Sequence, residues 1–291
     1  MIIRHSAQAV SRTEKLEAGV DAQEAAIQSG ARAGYAARGL VFATIGLFAF
    51  LAALEGRSQA VGTKGALEVL LHQPFGQALL WAVAVGLLCF AIWRVIQSVF
   101  DVDDCGSDSK GVFRRVAMLG GAMVNLALSL LAFSIAFGVR GIADEDTATR
   151  DWTAWLLAKP FGPALVTLVG ASIVIAGLAF VWKAIQADFR DQIAADAGKR
   201  VWIVALGQFG YVTRGIVFAM IGVFLIVAAR KFNSGEAAGL AGALDALRQQ
   251  PYGPYLLAVA GAGFSSYGAF EFIQGIVRRI DTTEVRRHPV G

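Results

Sequence analysis

Charge is scarce in this chain. Asp, Glu, Lys and Arg make up 16% of its 291 residues, where a soluble domain carries about 25%. Apolar residues reach 56% and mean hydropathy is +0.57. The length would permit two soluble domains, but this composition excludes them. Cysteine is scarcer still. Cys89 lies in an apolar run and Cys105 in a loop, so no disulfide framework exists. Cys89, between Leu88 and Phe90, reads as an inert thiol rather than a nucleophile. The three histidines, His5, His72 and His288, are scattered along the chain. They form no pre-spaced metal site, and no apolar run carries one as a haem ligand. No HExxH, GxSxG or Walker A pattern occurs. The acidic stretch Asp101–Asp108 lacks the closing Glu of a calcium loop and reads as a solvated loop. The sequence therefore predicts no enzyme, no metal and no cofactor.

The missing charge is concentrated in six windows. No Asp, Glu, Lys or Arg occurs in 39–54, 69–93, 116–139, 160–182, 215–229 or 249–270. About 20 apolar residues span a hydrocarbon core, and in lipid the backbone must satisfy its own hydrogen bonds, so these windows predict helices. The two short windows reach spanning length when extended upstream to Tyr35 and Tyr211. That extension puts Arg38 and Arg214 about a turn inside the interface. Net charge is +4 and the pI is 9.2, but the basic residues cluster at helix ends and no basic folded domain is present. Nucleic acid is not an expected partner. With the N-terminus assigned to the cytoplasm, 18 of the 26 Lys and Arg fall on that side and eight on the other, so both termini are expected to be cytoplasmic. Residues 1–30 are polar and lack the apolar centre of a signal peptide, which leaves the first span as the insertion signal.

What the chain has in abundance is itself. Gly34-Tyr35-Ala36-Ala37-Arg38-Gly39-Leu40-Val41-Phe42-Ala43 recurs as Gly210-Tyr211-Val212-Thr213-Arg214-Gly215-Ile216-Val217-Phe218-Ala219. Pro74-Phe75-Gly76 returns as Pro160-Phe161-Gly162 and as Pro251-Tyr252-Gly253. One unit has been used three times. The expected organisation is a polar N-terminal segment (1–30), three membrane repeats (31–104, 112–192 and 199–281) and a basic tail (282–291). Spans are expected near 35–54, 75–99, 116–138, 161–183, 209–229 and 252–276. Before each Pro lies a short amphipathic motif (66–71, 152–157 and 243–248) that predicts an interfacial helix, with Trp152 and Trp155 suited to an aromatic belt. The Pro is expected in the first turn of the next span. The second unit is degenerate. It carries Met118-Leu119-Gly120-Gly121 in place of the Gly-Tyr-x-x-Arg-Gly motif, and a longer outer loop with Asp144-Glu145-Asp146.

Three repeats with these starts resemble the bacterial membrane family called domain of unknown function 1206, over residues 31–281. The resemblance implies a six-helix integral protein of a bacterial membrane, with no assigned activity and no catalytic residue to carry over. The fold class expected from repeats and windows is an all-α polytopic membrane bundle with pseudo-threefold order.

Counting from each motif Pro, position +20 is Arg94, Phe180 and Glu271, and position +23 is Gln97, Lys183 and Gln274. At 1.5 Å per residue these lie about 30 Å along the helix, level with Arg38 and Arg214. The spacing predicts a polar layer of Arg38, Arg94, Gln97, Lys183, Arg214, Glu271 and Gln274. Three readings are open: ion pairs that fix repeat packing, basic groups that hold anionic lipid phosphates, or the lining of a solute path. Glu271, the one acid at these positions, needs a partner. Gly39 and Ala43, matched by Gly215 and Ala219, form small-x-x-x-small faces for close helix packing. Asn125 and Ser129 are candidates to bond a neighbouring helix. The expected role is a non-enzymatic inner-membrane protein of structural, lipid-associated or partner-binding type. Its partners would be the bilayer, with its anionic lipids, or another membrane protein. The alternative is a small transporter or channel with its path between the repeats.

Overall fold

The computed structural model describes residues 2–55, 62–101, 106, 108–139, 141–186 and 197–277, with side chains from residue 28 onward except those of residues 109, 110, 113, 197–200 and 277. The basic tail, His288 and Cys105 lie outside the described residues, and His5 is described in backbone only. Among the described residues nine α-helices form, with one 3-10 turn at Ser234–Glu236: α1 Ile2–Glu55, α2 Thr63–Leu71, α3 Gly76–Val99, α4 Ser109–Ala136, α5 Glu145–Leu157, α6 Gly162–Gln186, α7 Ala197–Lys231, α8 Leu240–Arg248 and α9 Gly253–Val277. Six contain windows long and apolar enough to cross a bilayer, with mean hydropathies of 1.4 to 2.5. The chain is an all-helical membrane protein. α1, α4 and α7 start earlier than their charge-free windows, because helix continues through the polar residues that lead into each apolar run.

The long helices order themselves α4–α3–α1–α9–α7–α6 by contact. The three largest interfaces join the first long helix of each unit to the second long helix of the unit before it: α1 on α9, α4 on α3, and α7 on α6. Within units, α1 packs on α3 and α7 on α9, but α4 and α6 form no packed interface among the described residues. The result is a pseudo-threefold ring with one break, inside the second unit.

Small residues set the cyclic interfaces. Ten and seventeen residues after each motif Pro stand Gly261 and Gly268 on α9, Gly170 and Gly177 on α6, and Ala84 and Ala91 on α3. A methyl group on Gly39 would lie 2.8 Å from the carbonyl oxygen of Gly268, and one on Gly268 would lie 2.5 Å from the Ala43 nitrogen. Gly215 and Ala219 hold the same positions against Gly177, as Gly222 does against Gly170. Between apolar helices in lipid no hydrophobic force favours contact, so backbone approach of this kind supplies the attraction through dispersion. On α4 a hydroxyl takes the glycine's place: Ser129 Oγ donates to the Ala84 carbonyl at 2.8 Å. Asn125 bonds instead within its own helix, Nδ2 to the Gly121 carbonyl at 2.6 Å.

The Pro-aromatic-Gly motif is a turn. The proline precedes the helix rather than entering its first turn. Phe75, Phe161 and Tyr252 adopt left-handed φ values of 60°, 62° and 68°, and their carbonyls accept the first bonds of α3, α6 and α9, from Leu79, Leu165 and Leu256. Glycine must follow, because a side chain there would collide with the carbonyl of Leu71, Leu157 or Arg248 at the end of the short helix. The aromatic rings are 88%, 84% and 79% exposed. Each motif thus reverses the chain and projects one ring outward.

At this end of the bundle, the extra acids of the second unit join all three short helices. Glu145 accepts from Thr63 N at 2.8 Å and Ala241 N at 3.0 Å, and Asp146 accepts from Gly239 N at 2.6 Å and Gly242 N at 3.2 Å. These are orphan amides at the starts of α2 and α8, where negative charge is favoured. Asp144 caps its own helix through Thr147 N at 2.8 Å, a bond that lowers its pKa. Burial raises that of Glu145. A raised folded-state pKa means that the folded protein holds the proton more tightly, so Glu145 adds stability as pH falls through that value; Asp144 has the opposite sign, and its contribution is lost in strong acid. Melting temperatures measured from neutral to acidic pH should therefore move in favour of the wild type over Glu145→Gln. Asp144→Ala should cost about 1 kcal/mol at neutral pH and less in strong acid, where the cap accepts as a neutral carboxyl.

Candidate functional site: the buried arginine layer

At the opposite end, the repeated Gly-Tyr-x-x-Arg motif clamps the first and third units shut. Sixteen residues after the motif Pro stands Phe90 on α3, Tyr267 on α9 and Ala176 on α6. Gly34 lets α1 meet the backbone of Phe90, and Gly210 lets α7 meet that of Tyr267, where a methyl group would lie 2.6 Å from the Tyr267 Cα. Tyr35 then sets its edge against Phe90, with centroids 4.9 Å apart, and Tyr211 does the same to Tyr267 at 5.3 Å. The Arg38 guanidinium lies 4.5 Å from the Phe90 centroid, and that of Arg214 lies 4.9 Å from Tyr267. Glycine, tyrosine and arginine therefore act on one aromatic residue of the same unit, in duplicate.

The second unit has no such clamp. Ser129 meets Ala84 as Gly46 meets Gly261 and Gly222 meets Gly170. That register puts Ala117 at the motif glycine and Gly121 at the arginine. At the position matching Phe90 and Tyr267, α6 carries Ala176, which offers no ring. Added methyl groups on Gly120 or Gly121 would meet nothing within 4 Å. The break between α4 and α6 lies in the one unit where the clamp residues are absent.

The two arginines converge. Arg38 Nη2 donates to the Tyr267 hydroxyl at 2.8 Å, and Arg214 Nη1 donates to the same oxygen. Arg38 also pairs with Glu271 at 3.4 Å, both side chains being almost fully buried. Arg214 does not reach Glu271 or the glutamines. It sits among Phe42, Phe180, Phe218 and Tyr267, with centroids 4.6 to 5.2 Å away. The remaining residues of the expected layer are spread around the ring. Arg94 lies over Phe90 at 5.2 Å and Lys183 over Tyr211 at 5.6 Å, while Gln97 and Gln274 are buried on α3 and α9. The structure thus brings Arg38, Arg214 and Glu271 to one centre and leaves Arg94 and Lys183 at its edges. Tyr267, which joins the two arginines, was not among the expected site residues. Its signal was an aromatic residue recurring sixteen places after the motif Pro in the two units that also carry the arginine.

A family model described as Domain of Unknown Function (DUF1206) matches residues 33–101, 116–187 and 209–278. The chain belongs to that family. The three domain of unknown function 1206 matches begin one residue before Gly34, Ala117 and Gly210, the same register that the Ser129 contact gives. A relative described as "Uncharacterized protein YxxB", from Bacillus subtilis (strain 168), is 31% identical over 252 residues, covering 86% of this chain and 90% of its own. No solved structure matches this domain of unknown function 1206 chain.

Proposed function

We propose that this chain is a non-enzymatic protein of the bacterial inner membrane, with both termini cytoplasmic, whose role is lipid association through its open second unit. One observation carries the reading: the helix ring is packed everywhere except between α4 and α6. The membrane windows of these two helices are 22% and 17% buried, against 61% for α1. Leu119, Met123, Leu130, Leu168, Ile175 and Leu178 are exposed along them. In a bilayer such faces are covered by acyl chains or by a partner helix.

A transport path is the weaker reading. Phe42 and Phe264 stack at 5.9 Å, and Tyr267 packs on Phe42 at 5.0 Å, so rings fill the space beside the arginine pair. Grooves of about 440 and 490 Å³ lie along α6, α7 and α8 and are lined by none of the seven layer residues. The test is native mass spectrometry of protein extracted in mild detergent. Retained phospholipid supports lipid association. A bare monomer that moves solutes when reconstituted in liposomes would replace this reading with transport, and a retained protein would replace it with partner binding.

A further inference from the structure

We propose a phosphate-binding site at the α6–α7 interface, formed by Arg214 and Lys183, in which an anionic ligand takes the place that a carboxylate fills at the matched α9–α1 interface. The proposal rests on the lipid-association reading above and names the headgroup chemistry.

The three cyclic interfaces are equivalent, so their layers compare position by position. At α9–α1, Arg38 on the first helix faces Glu271, at +20 on the second. At α6–α7, the equivalent arginine is Arg214 and the +20 residue is Phe180, whose ring centroid is 4.6 Å from the guanidinium. Three residues further on, Gln274 of α9 is matched by Lys183 of α6. One interface is therefore neutral, while its copy holds two cations and no acid. Among the described residues no Asp or Glu lies within ion-pair distance of either cation.

An uncompensated guanidinium within a membrane span is costly. The surrounding rings reduce that cost through their faces but offer no in-plane acceptor beyond the Tyr267 hydroxyl. Arg214 Nε is buried with no hydrogen-bond partner. Lys183, in the last turn of α6, also complements that helix terminus, so Arg214 is the residue that calls for a ligand. Arg214 and Lys183 are both only half-buried, so neither is sealed from the surroundings. Lys183 lies over Tyr211 at 5.6 Å, and the Tyr211 ring is 6.0 Å from the Phe180 ring that Arg214 covers, so both cations border one aromatic cluster; a planar fork of N–H donors with an ammonium group suits a tetrahedral phosphate oxyanion. α6 is also one wall of the opening to α4, so a phospholipid bound here would have its acyl chains beside the exposed apolar faces. A lipid headgroup and free phosphate share this chemistry.

The experiment titrates delipidated protein in neutral detergent with phosphatidylglycerol, with phosphatidylcholine and with inorganic phosphate, reading bound mass by native mass spectrometry and melting temperature in parallel. Phosphatidylglycerol should bind the wild type at least about tenfold more tightly than Arg214→Gln or Lys183→Gln, the loss expected for a charged hydrogen bond. Phe180→Glu restores the carboxylate. It should raise the melting temperature without added lipid and abolish the phosphatidylglycerol response. Stabilisation by inorganic phosphate that both Gln variants lose supports the same site with a free anion as its occupant. Equal binding of phosphatidylglycerol and phosphatidylcholine, unchanged by the variants, overturns the site while leaving lipid association intact. Phe180→Glu that destabilises the protein and keeps the phosphatidylglycerol response also overturns it.

Discussion

Glu271→Leu should cost about 3–5 kcal/mol, more than any other single substitution in the layer. Removing one partner of a buried ion pair leaves the other charge uncompensated, and here the stranded group is Arg38, whose side chain is 5% exposed and lies within a span. Tyr267 would still accept one bond from it, and Phe90 would still offer a ring face, but neither carries the countercharge. The double variant Arg38→Met, Glu271→Leu should recover most of the loss, because well-packed apolar residues replace a buried pair at little cost or with a gain. Thermal unfolding in detergent checks both. If the double variant melts as low as the single one, the pair is not what holds α1 to α9.

Gly46→Leu should be nearly as damaging, for a steric reason. The first carbon of a side chain at this position would already fall inside contact distance of the Ser265 backbone nitrogen and 2.5 Å from the Gly261 carbonyl oxygen. Neither atom belongs to a flexible side chain, so α1 and α9 would have to separate along their largest shared face. Overpacking of this kind typically costs about 1–3 kcal/mol; the obstruction here is main chain, and the expected loss is at the upper end. Gly120→Leu is the control. Nothing lies within 4 Å of that position, and replacing a mid-helix glycine should gain a few tenths to about 1 kcal/mol in helix propensity. A fall in melting temperature for Gly120→Leu would show that α4 is packed where the ring is drawn open.

Much of this architecture was legible in the residues. Six charge-free windows gave six spanning helices, and the repeated motifs gave the three units, because lipid leaves a backbone few choices and a repeated sequence repeats its contacts. The short helices before each proline were legible for the same reason. The proline itself was misread. Its neighbour takes a left-handed φ, which puts the start of the helix at the glycine, and an aromatic residue gives no advance sign of that conformation. The polar layer was legible as a level along the helices but not as a set of partners. Rise per residue fixes depth, whereas pairing depends on which helices adjoin. Arg38 found Glu271 because α1 lies on α9; Arg214 found Phe180 because α7 lies on α6. The break in the ring was foreshadowed by the degenerate second unit, but Ala176 gains meaning only once its counterparts Phe90 and Tyr267 are seen packed against the Gly-Tyr-x-x-Arg motif.

The three exposed rings at the turns have a consequence for the whole body. Phe75, Phe161 and Tyr252 stand at one matched position in each unit, each an exposed ring that lipid can cover; Tyr252 also carries the polar hydroxyl that suits the boundary between hydrocarbon and headgroups. A single anchor leaves a bundle free to lean, and two leave it free to rock about the line joining them. Three points fix a plane. One turn, repeated three times, supplies those three points at one end of the bundle.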